Sequence, residues 1–364
     1  MTRFRFTVVF IAVISVALFV HTPLLSHMRE ARSLQTKVSA AQPDIDSSWQ
    51  AHQAQNGTYP NEAGDVIIVM FHRFTRNYSG DQTQNQPYTL TYSRFRSLLH
   101  TLYSRNFRLI SLSDFINNRI EVPEGKIPMV FTFDDATAGQ FHLRRENGGL
   151  RAAPGTAVGI MEDFYRRHPD FGLAGTFFIN LGIPQPLFDG EGTLTERLNY
   201  LVEHGFELGN HTYSHIDLRK VKKEARIIAE VGRNQQALNT YLPGYQMQSL
   251  ALPFGHMPRH GWLQSALHGE YEGVPFDNRI VLEVGAGPSS SPSASGFRPT
   301  AVLRVRAPGR HPEPMDLDWW LRKKFSNRLF VSDGNPNIIT VPQTHFNRLS
   351  RGFIQREMQR LVVY

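Results

Sequence analysis

The chain has 364 residues, 41% of them hydrophobic and 20% charged, which excludes a disordered polyelectrolyte, a collagen-like repeat and a multi-span membrane protein. Lys and Arg exceed Asp and Glu by seven, but no stripe of basic and aromatic residues appears, so nucleic acid is not an expected partner. With no cysteine, a metal here must be held by His and carboxylate groups, and no disulfide or thiolate nucleophile is available.

Arg3 and Arg5 precede an apolar run from Phe6 to Val20, relieved only by Thr7 and Ser15 and fading through Leu25. A cationic start and an apolar core of this length predict a signal-anchor or transmembrane segment over 1–26. The nearest small-x-small site, Val38-Ser39-Ala40, lies too far from the run for ordinary cleavage. Residues 27–64, rich in Gln, Ala, Ser and Asn, are expected to be a linker. An anchor followed by a linker places the rest of the chain on the extracytoplasmic side of a membrane.

From Asp65 onward short β-branched runs alternate with helical stretches. Strands are expected at Val66–Phe71, Pro128–Phe133, Gly175–Ile179, Ser249–Leu252, Ile280–Val284, Ala301–Val305, Leu329–Val331 and Ile338–Val341. Helix signals lie between them. Ser93 opens a run with Phe95, Leu98, Leu99 and Leu102 at helical spacing, and Thr193 with Glu196 forms a capping box. Ala157–His168 is a further helix-like stretch before Pro169. The alternation predicts an α/β fold with a parallel sheet, open or closed into a barrel, as a single catalytic domain over 65–345. Gly285 to Gly296 is expected to be a flexible loop. The tail 346–364 carries Arg348, Arg351, Arg356 and Arg360 with Phe353, Ile354 and Leu361, and predicts a closing basic amphipathic helix.

Three segments that follow or end apolar strand-like runs hold the candidate chemistry. Thr132-Phe133-Asp134-Asp135 places two carboxylates side by side, costly unless a cation or proton separates their states. His211-Thr212-Tyr213-Ser214-His215 spaces two imidazoles four apart, so both reach one metal if the stretch is helical. Leu252-Pro253-Phe254-Gly255 is a rigid turn whose N–H groups face a reacting oxygen if it borders a site. Singly, each also fits a bland role: an acidic turn, two surface histidines, an ordinary loop.

Taken in order with Gly175–Asn180 (GTFFIN) and Glu207–His215 (ELGNHTYSH), these segments resemble the polysaccharide deacetylases of carbohydrate esterase family 4, the NodB-homology group. The resemblance spans roughly residues 65–345 and implies a distorted (β/α) barrel of seven or eight strands. It implies a metal triad of Asp135, His211 and His215, with zinc the expected divalent cation. Asp134 would be the general base, and the Phe254 N–H would join an oxyanion site. The implied activity is hydrolytic removal of acetyl groups, N- or O-linked, from a cell-envelope or extracellular polysaccharide. Two His and one carboxylate leave an open coordination position, which is how a catalytic zinc activates water.

The departures are specific. Ala136 replaces the usual Gly after the acidic pair. Ala251 replaces an Arg that pairs with the base, leaving Arg304 or Arg306 as candidate substitutes. The family's last strand carries a His as general acid, whereas Asn337–Pro342 has none, so His345, just beyond, and His72, after the first strand, compete for that role. The segment 156–180 and Ser332–Pro336 resemble a divergent, often membrane-anchored branch. A non-catalytic glycan-binding descendant of the barrel and a metal-dependent amidase acting on small molecules are the alternative readings.

Overall fold

The computed structural model describes residues 32–33, 36–37, 59–78, 87–184, 187–259, 261–285, 287–311, 313–322 and 328–364. The apolar run Phe6–Val20 and most of the expected linker lie outside them.

A curled, largely parallel sheet forms the centre. In chain order its strands are β1 (Asp65–Phe71), β2 (Phe107–Leu109), β3 (Ile127–Asp134), β4 (Gly175–Ile179), β5 (Phe206–Asn210), β6 (Ser249–Ala251), β7 (Ile280–Leu282), β8 (Ser289–Ser290) and β9 (Val305–Arg306). Seven follow the path β7-β6-β5-β4-β3-β1-β8, while β2 joins β3 and β9 joins β1. Val302 bridges Leu282 of β7, and three residues later Val305 pairs with Val69 of β1. One short segment therefore spans the gap between the two ends of the sheet.

Side-chain alternation explains the two layers. Ile67, Val69 and Phe71 of β1 join Met129, Phe131 and Phe133 of β3 in the outer core. Helices α1 (Tyr92–Ser104), α2 (Ala157–Arg167) and α3 (Leu194–Glu203) cover that core with Phe95, Leu99, Phe164 and Leu198. Beyond β6 and β7, α4 (Glu224–Asn239) adds Ile227 and Val231 against Leu250 and Val281. The opposite parity, with Val66, Ile68, Val130, Phe178, Ala251 and Leu282, packs on itself as the inner core. Thr91 caps α1, and the capping box at Thr193 and Glu196 is present.

Four expectations need correction. Gly285–Gly296 is not a free loop: Ser289 and Ser290 pair antiparallel with Val66 and Asp65, and Ser291 and Ser293 are buried with their hydroxyls 2.8 Å apart. Small hydroxyl side chains satisfy one another there, so no apolar residue is needed. The tail is not one helix. A short helix, Arg351–Glu357, gives way to a strand, β11 (Leu361–Val363), because β-branched Val362 and Val363 pair with β10 (Ile339–Val341). The β10–β11 pair is a separate two-stranded sheet at the N-terminal end of the barrel, so the run Ile338–Val341 is not the closing strand. That place belongs to β9. Asn61–Gly64, assigned to the linker, are buried and belong to the folded body, with Asn61 bridging Val331.

Candidate active site

The C-terminal ends of β1, β3, β5 and β9 converge, as barrel strands do where they present chemistry. Asp134 is the last residue of β3 and points into the barrel, in step with Val130 and Thr132. It is buried beside Arg304, whose Nη1 and Nη2 donate to its two oxygens at 2.7 and 2.8 Å. Arg304 is itself 0% exposed and donates from Nε to the Glu283 carbonyl. Burial alone would raise the Asp134 pKa, but Arg304, followed by His211 and His72, holds it below the usual carboxylate range. Arg304 therefore supplies the cation that Ala251 lacks. Arg306 points away and pairs with Glu313.

Beyond Asp134 the chain turns sharply. Asp135 and Ala136 both have positive φ, +74° and +48°, a conformation costing about 1–2 kcal/mol for a residue with a Cβ. A glycine after the acidic pair would avoid that cost at the second position. The turn swings Asp135 out of the barrel, where Oδ1 lies 3.5 Å from His211 Nε2 and 3.3 Å from His215 Nε2.

The two histidines meet Asp135 without a helix. His211 directly follows β5, and positive φ at Thr212 and His215 (+63° and +52°) folds the segment into a turn that returns His215. A polar bracket holds this turn. Asn180 Nδ2 donates to the carbonyls of His211 and Thr212, and Asn210 Oδ1 accepts Thr212 N–H at 2.9 Å. Buried Glu230 accepts the N–H and hydroxyl of Ser214. Gly182 lets the neighbouring loop lie flat on Tyr213, where a Cβ would meet the ring at 2.2 Å. The sequence segments GTFFIN and ELGNH contained Asn180 and Asn210, yet residue type alone did not reveal their supporting role.

The ligand chemistry fits a divalent cation. Asp135, His211 and His215 bring their donor atoms within 4.8 Å of one another. His211 Nδ1 lies 2.8 Å from the Ala251 carbonyl, which only accepts, so Nδ1 keeps its proton and Nε2, facing Asp135, is the nitrogen that would give up a proton to a cation. Burial opposes ionisation of Asp135, but the two imidazoles outweigh it and hold its pKa well below the usual value.

His72 follows β1, with Nε2 3.7 Å from Asp134 Oδ2 and its ring packed on Tyr88 at a centroid distance of 5.0 Å. His345 is elsewhere. It lies on the 3-10 turn Gln343–Arg348, and its charged neighbours are Arg348 and Asp65. Asp65 begins the strand that His72 follows, so the two histidines mark opposite ends of a strand about 20 Å long. The assignment of His345 to the site fails because Ile338–Val341 is outside the barrel. Phe254 does border the site: φ is +60°, the residue is 57% exposed, and its ring stacks edge-on to His215 at 4.9 Å.

The site thus unites Asp134, Asp135, His211, His215, Phe254 and His72 and leaves His345 out. Residues 122–270 match the polysaccharide deacetylase family. No curated protein matches the chain. Among solved structures, a Streptococcus pyogenes deacetylase in complex with acetate is similar, at 16% identity and a TM-score of 0.51, covering 71% of this chain and 97% of that one. A polysaccharide deacetylase from Bacillus cereus is similar at 15% identity and a TM-score of 0.50, covering 71% and 68%. At these identities the two structures show the fold, and the curled parallel sheet matches the deacetylase (β/α) barrel. The family match supports a deacetylase-type hydrolase acting on a carbon–nitrogen bond or an O-acetyl ester.

Proposed function

We propose that the chain is a metal-dependent deacetylase of an acetylated polysaccharide. The observation that carries this reading is the convergence of an Asp135–His211–His215 ligand set with a buried Asp134–Arg304 pair at one sheet edge. Asp135, His211 and His215 would hold the cation, with zinc the best match to two imidazoles and one carboxylate. When bound, such an ion polarises the acyl carbonyl and lowers the pKa of water. Asp134 accepts the proton of the attacking water through lone pairs that Arg304 leaves free. The Phe254 N–H supports the oxyanion. His72 then protonates the departing nitrogen or oxygen as its bond to the acyl carbon breaks. Burial, against the pull of Asp134 and Asp135, lowers the His72 pKa, so the resting imidazole is neutral and the proton it donates is the one Asp134, 3.7 Å away, has taken from the water.

Acetate release from acetylated oligosaccharides, with and without chelator, tests the reading. His211→Ala is expected to lose most of the bound zinc and fall by about 10²-fold or more in activity while keeping its far-UV spectrum. Full stoichiometric zinc in that variant would show that the ligands are misassigned.

The leaving group separates the two histidines. An amine leaves poorly without a proton donor, so loss of a general acid costs about 10²–10⁴-fold in N-deacetylation and less in ester cleavage. His72→Ala should show that split, and His345→Ala should show no change on either substrate. The reverse ranking would return the acid role to His345.

The proposal also places the domain outside a membrane, tethered by the apolar run Phe6–Val20 behind two arginines. Among the described residues no helix is long and apolar enough to cross a membrane. Protease added to intact spheroplasts should remove the domain, and a protected full-length product would refute this placement.

A further inference from the structure

Beside Phe254 the rim of the site carries an imidazole that the reaction does not use. Phe254 and Gly255 both have positive φ, +60° and +67°, so the chain turns tightly between Pro253 and His256. Gly255 makes the turn possible, because a Cβ there would meet the Val284 side chain at 2.7 Å. The rings of Phe254 and His256 consequently stack at 6.1 Å, and Phe254 touches the His215 ring at 4.9 Å. A row of three rings thus runs from the candidate ligands to the exposed rim.

His256 is held in place. Its Nδ1 lies 3.1 Å from Asp217 Oδ2. The Asp217 side chain is nearly buried, and its Oδ1 accepts the Arg219 N–H at 3.0 Å where the 3-10 turn Leu218–Lys220 begins. The carboxylate is therefore fixed by the backbone, and it fixes the imidazole in turn. A carboxylate only accepts, so Nδ1 keeps a proton and Nε2 is the nitrogen left for a ligand. Nε2 has no partner among the described residues, and the side chain is 34% exposed. Arg219 and Lys220, the cations of this turn, already lie 3.4 and 3.7 Å from Asp217, so they are not free to draw an anion. What remains is an exposed aromatic face beside one nitrogen able to bond a hydroxyl. That pairing suits a neutral sugar, which has a C–H face and a hydroxyl edge.

We propose that His256 is a specificity-determining residue, hydrogen-bonding a hydroxyl of a neutral sugar that lies over Phe254, next to the sugar being deacetylated. Asp217 is a positioning residue that acts through His256. The inference rests on the deacetylase reading for its setting, since Phe254 borders the reacting centre.

The test uses the full chain with glucosamine and with β-1,4- and β-1,6-linked glucosamine tetramers, bound calorimetrically, and with their N-acetylated forms for acetate release. The wild type is expected to bind at least one tetramer more tightly than the monomer, and equal binding of all three overturns the proposal. Two substitutions separate recognition from packing. The Asn amide falls where Nδ1 was and keeps the contact with Asp217, whereas the Gln amide reaches where Nε2 was. His256→Asn should weaken tetramer binding and raise the tetramer KM by about three- to tenfold, with kcat little changed. His256→Gln should recover most of that loss. Asp217→Asn, which keeps the acceptor for the Arg219 N–H, should raise the tetramer KM in the same direction. A His256→Asn protein that matches the wild type, or a His256→Gln protein no better than His256→Asn, would show that the imidazole only braces the turn and overturns the proposal. Tetramer binding that follows this ranking in a protein releasing no acetate refutes the deacetylase reading and leaves the subsite standing.

Discussion

Arg304→Ala is expected to lower stability by about 3–5 kcal/mol, because it strands the Asp134 carboxylate in the barrel without its cation. The basis is the geometry: Arg304 is 0% exposed, both of its terminal nitrogens meet Asp134, and its Nε is spent on the Glu283 carbonyl. Asp134 is only 1% exposed, so bulk solvent replaces little of what is lost. Arg304→Lys keeps the charge but not the fork, and should fall between the two. The double variant Arg304→Met with Asp134→Leu removes both charges and should regain most of the stability while remaining inactive. Asp134→Asn, which keeps the shape, should lose about 10²–10⁴-fold in kcat. Urea unfolding at neutral pH and acetate release, measured well below each midpoint, separate the two effects. A cost below about 1 kcal/mol for Arg304→Ala would mean that the pair is solvated and that the barrel interior is open at this end.

The same pair shows how far the sequence could be read. Arg304 and Arg306 lie two apart at a strand end and are indistinguishable by type. Only burial decides between them: both share the parity of Val302, but Arg304 is 0% exposed against Asp134, whereas Arg306, two residues farther along, reaches Glu313 at the rim. Strands β1, β3 and β4 are legible because their β-branched and aromatic runs are covered on both faces, which leaves a continuous apolar signature. Strands β2 and β8 are not. Each has two or three residues and exists through pairing with a distant partner, Ser289 with Val66 being the clearest case. His211 and His215 were recognisable as a pair, but for an incomplete reason. Their spacing suggests a helix, whereas two left-handed residues and the Asn180, Asn210 and Glu230 bracket bring them together. His345 is near a β-branched run in the chain but not near the barrel. Chain order does not reveal that Ile339–Val341 pairs with Leu361–Val363 instead.

The barrel's other end offers a prediction set by pH. Glu62 is buried in the lead-in to β1 and clamps the loop after β9's long connection: its carboxylate accepts Thr340 N–H at 3.0 Å and the Ser332 hydroxyl at 3.4 Å. Burial, reinforced by the nearby Asp333 carboxylate, pushes its pKa up to about 8 from an ordinary 4.5, despite those donors. The folded protein therefore keeps this proton over a range where the unfolded chain has lost it. Stability should be greatest near the ordinary carboxylate pKa, fall as pH rises between about 4.5 and 8, and level off above. The slope from this group is at most about 1.4 kcal/mol per pH unit, accumulating to a few kcal/mol. Glu62→Gln cannot titrate and should flatten that part of the curve, whatever it does to stability at acid pH. Asp333→Asn removes the neighbouring charge, lowers the Glu62 pKa and should shift the decline to a narrower range. The measurement is the urea midpoint of all three proteins from pH 5 to 9, read as slope rather than height. A wild-type slope that Glu62→Gln leaves intact would mean that the lead-in ionises freely and that another group sets the alkaline loss.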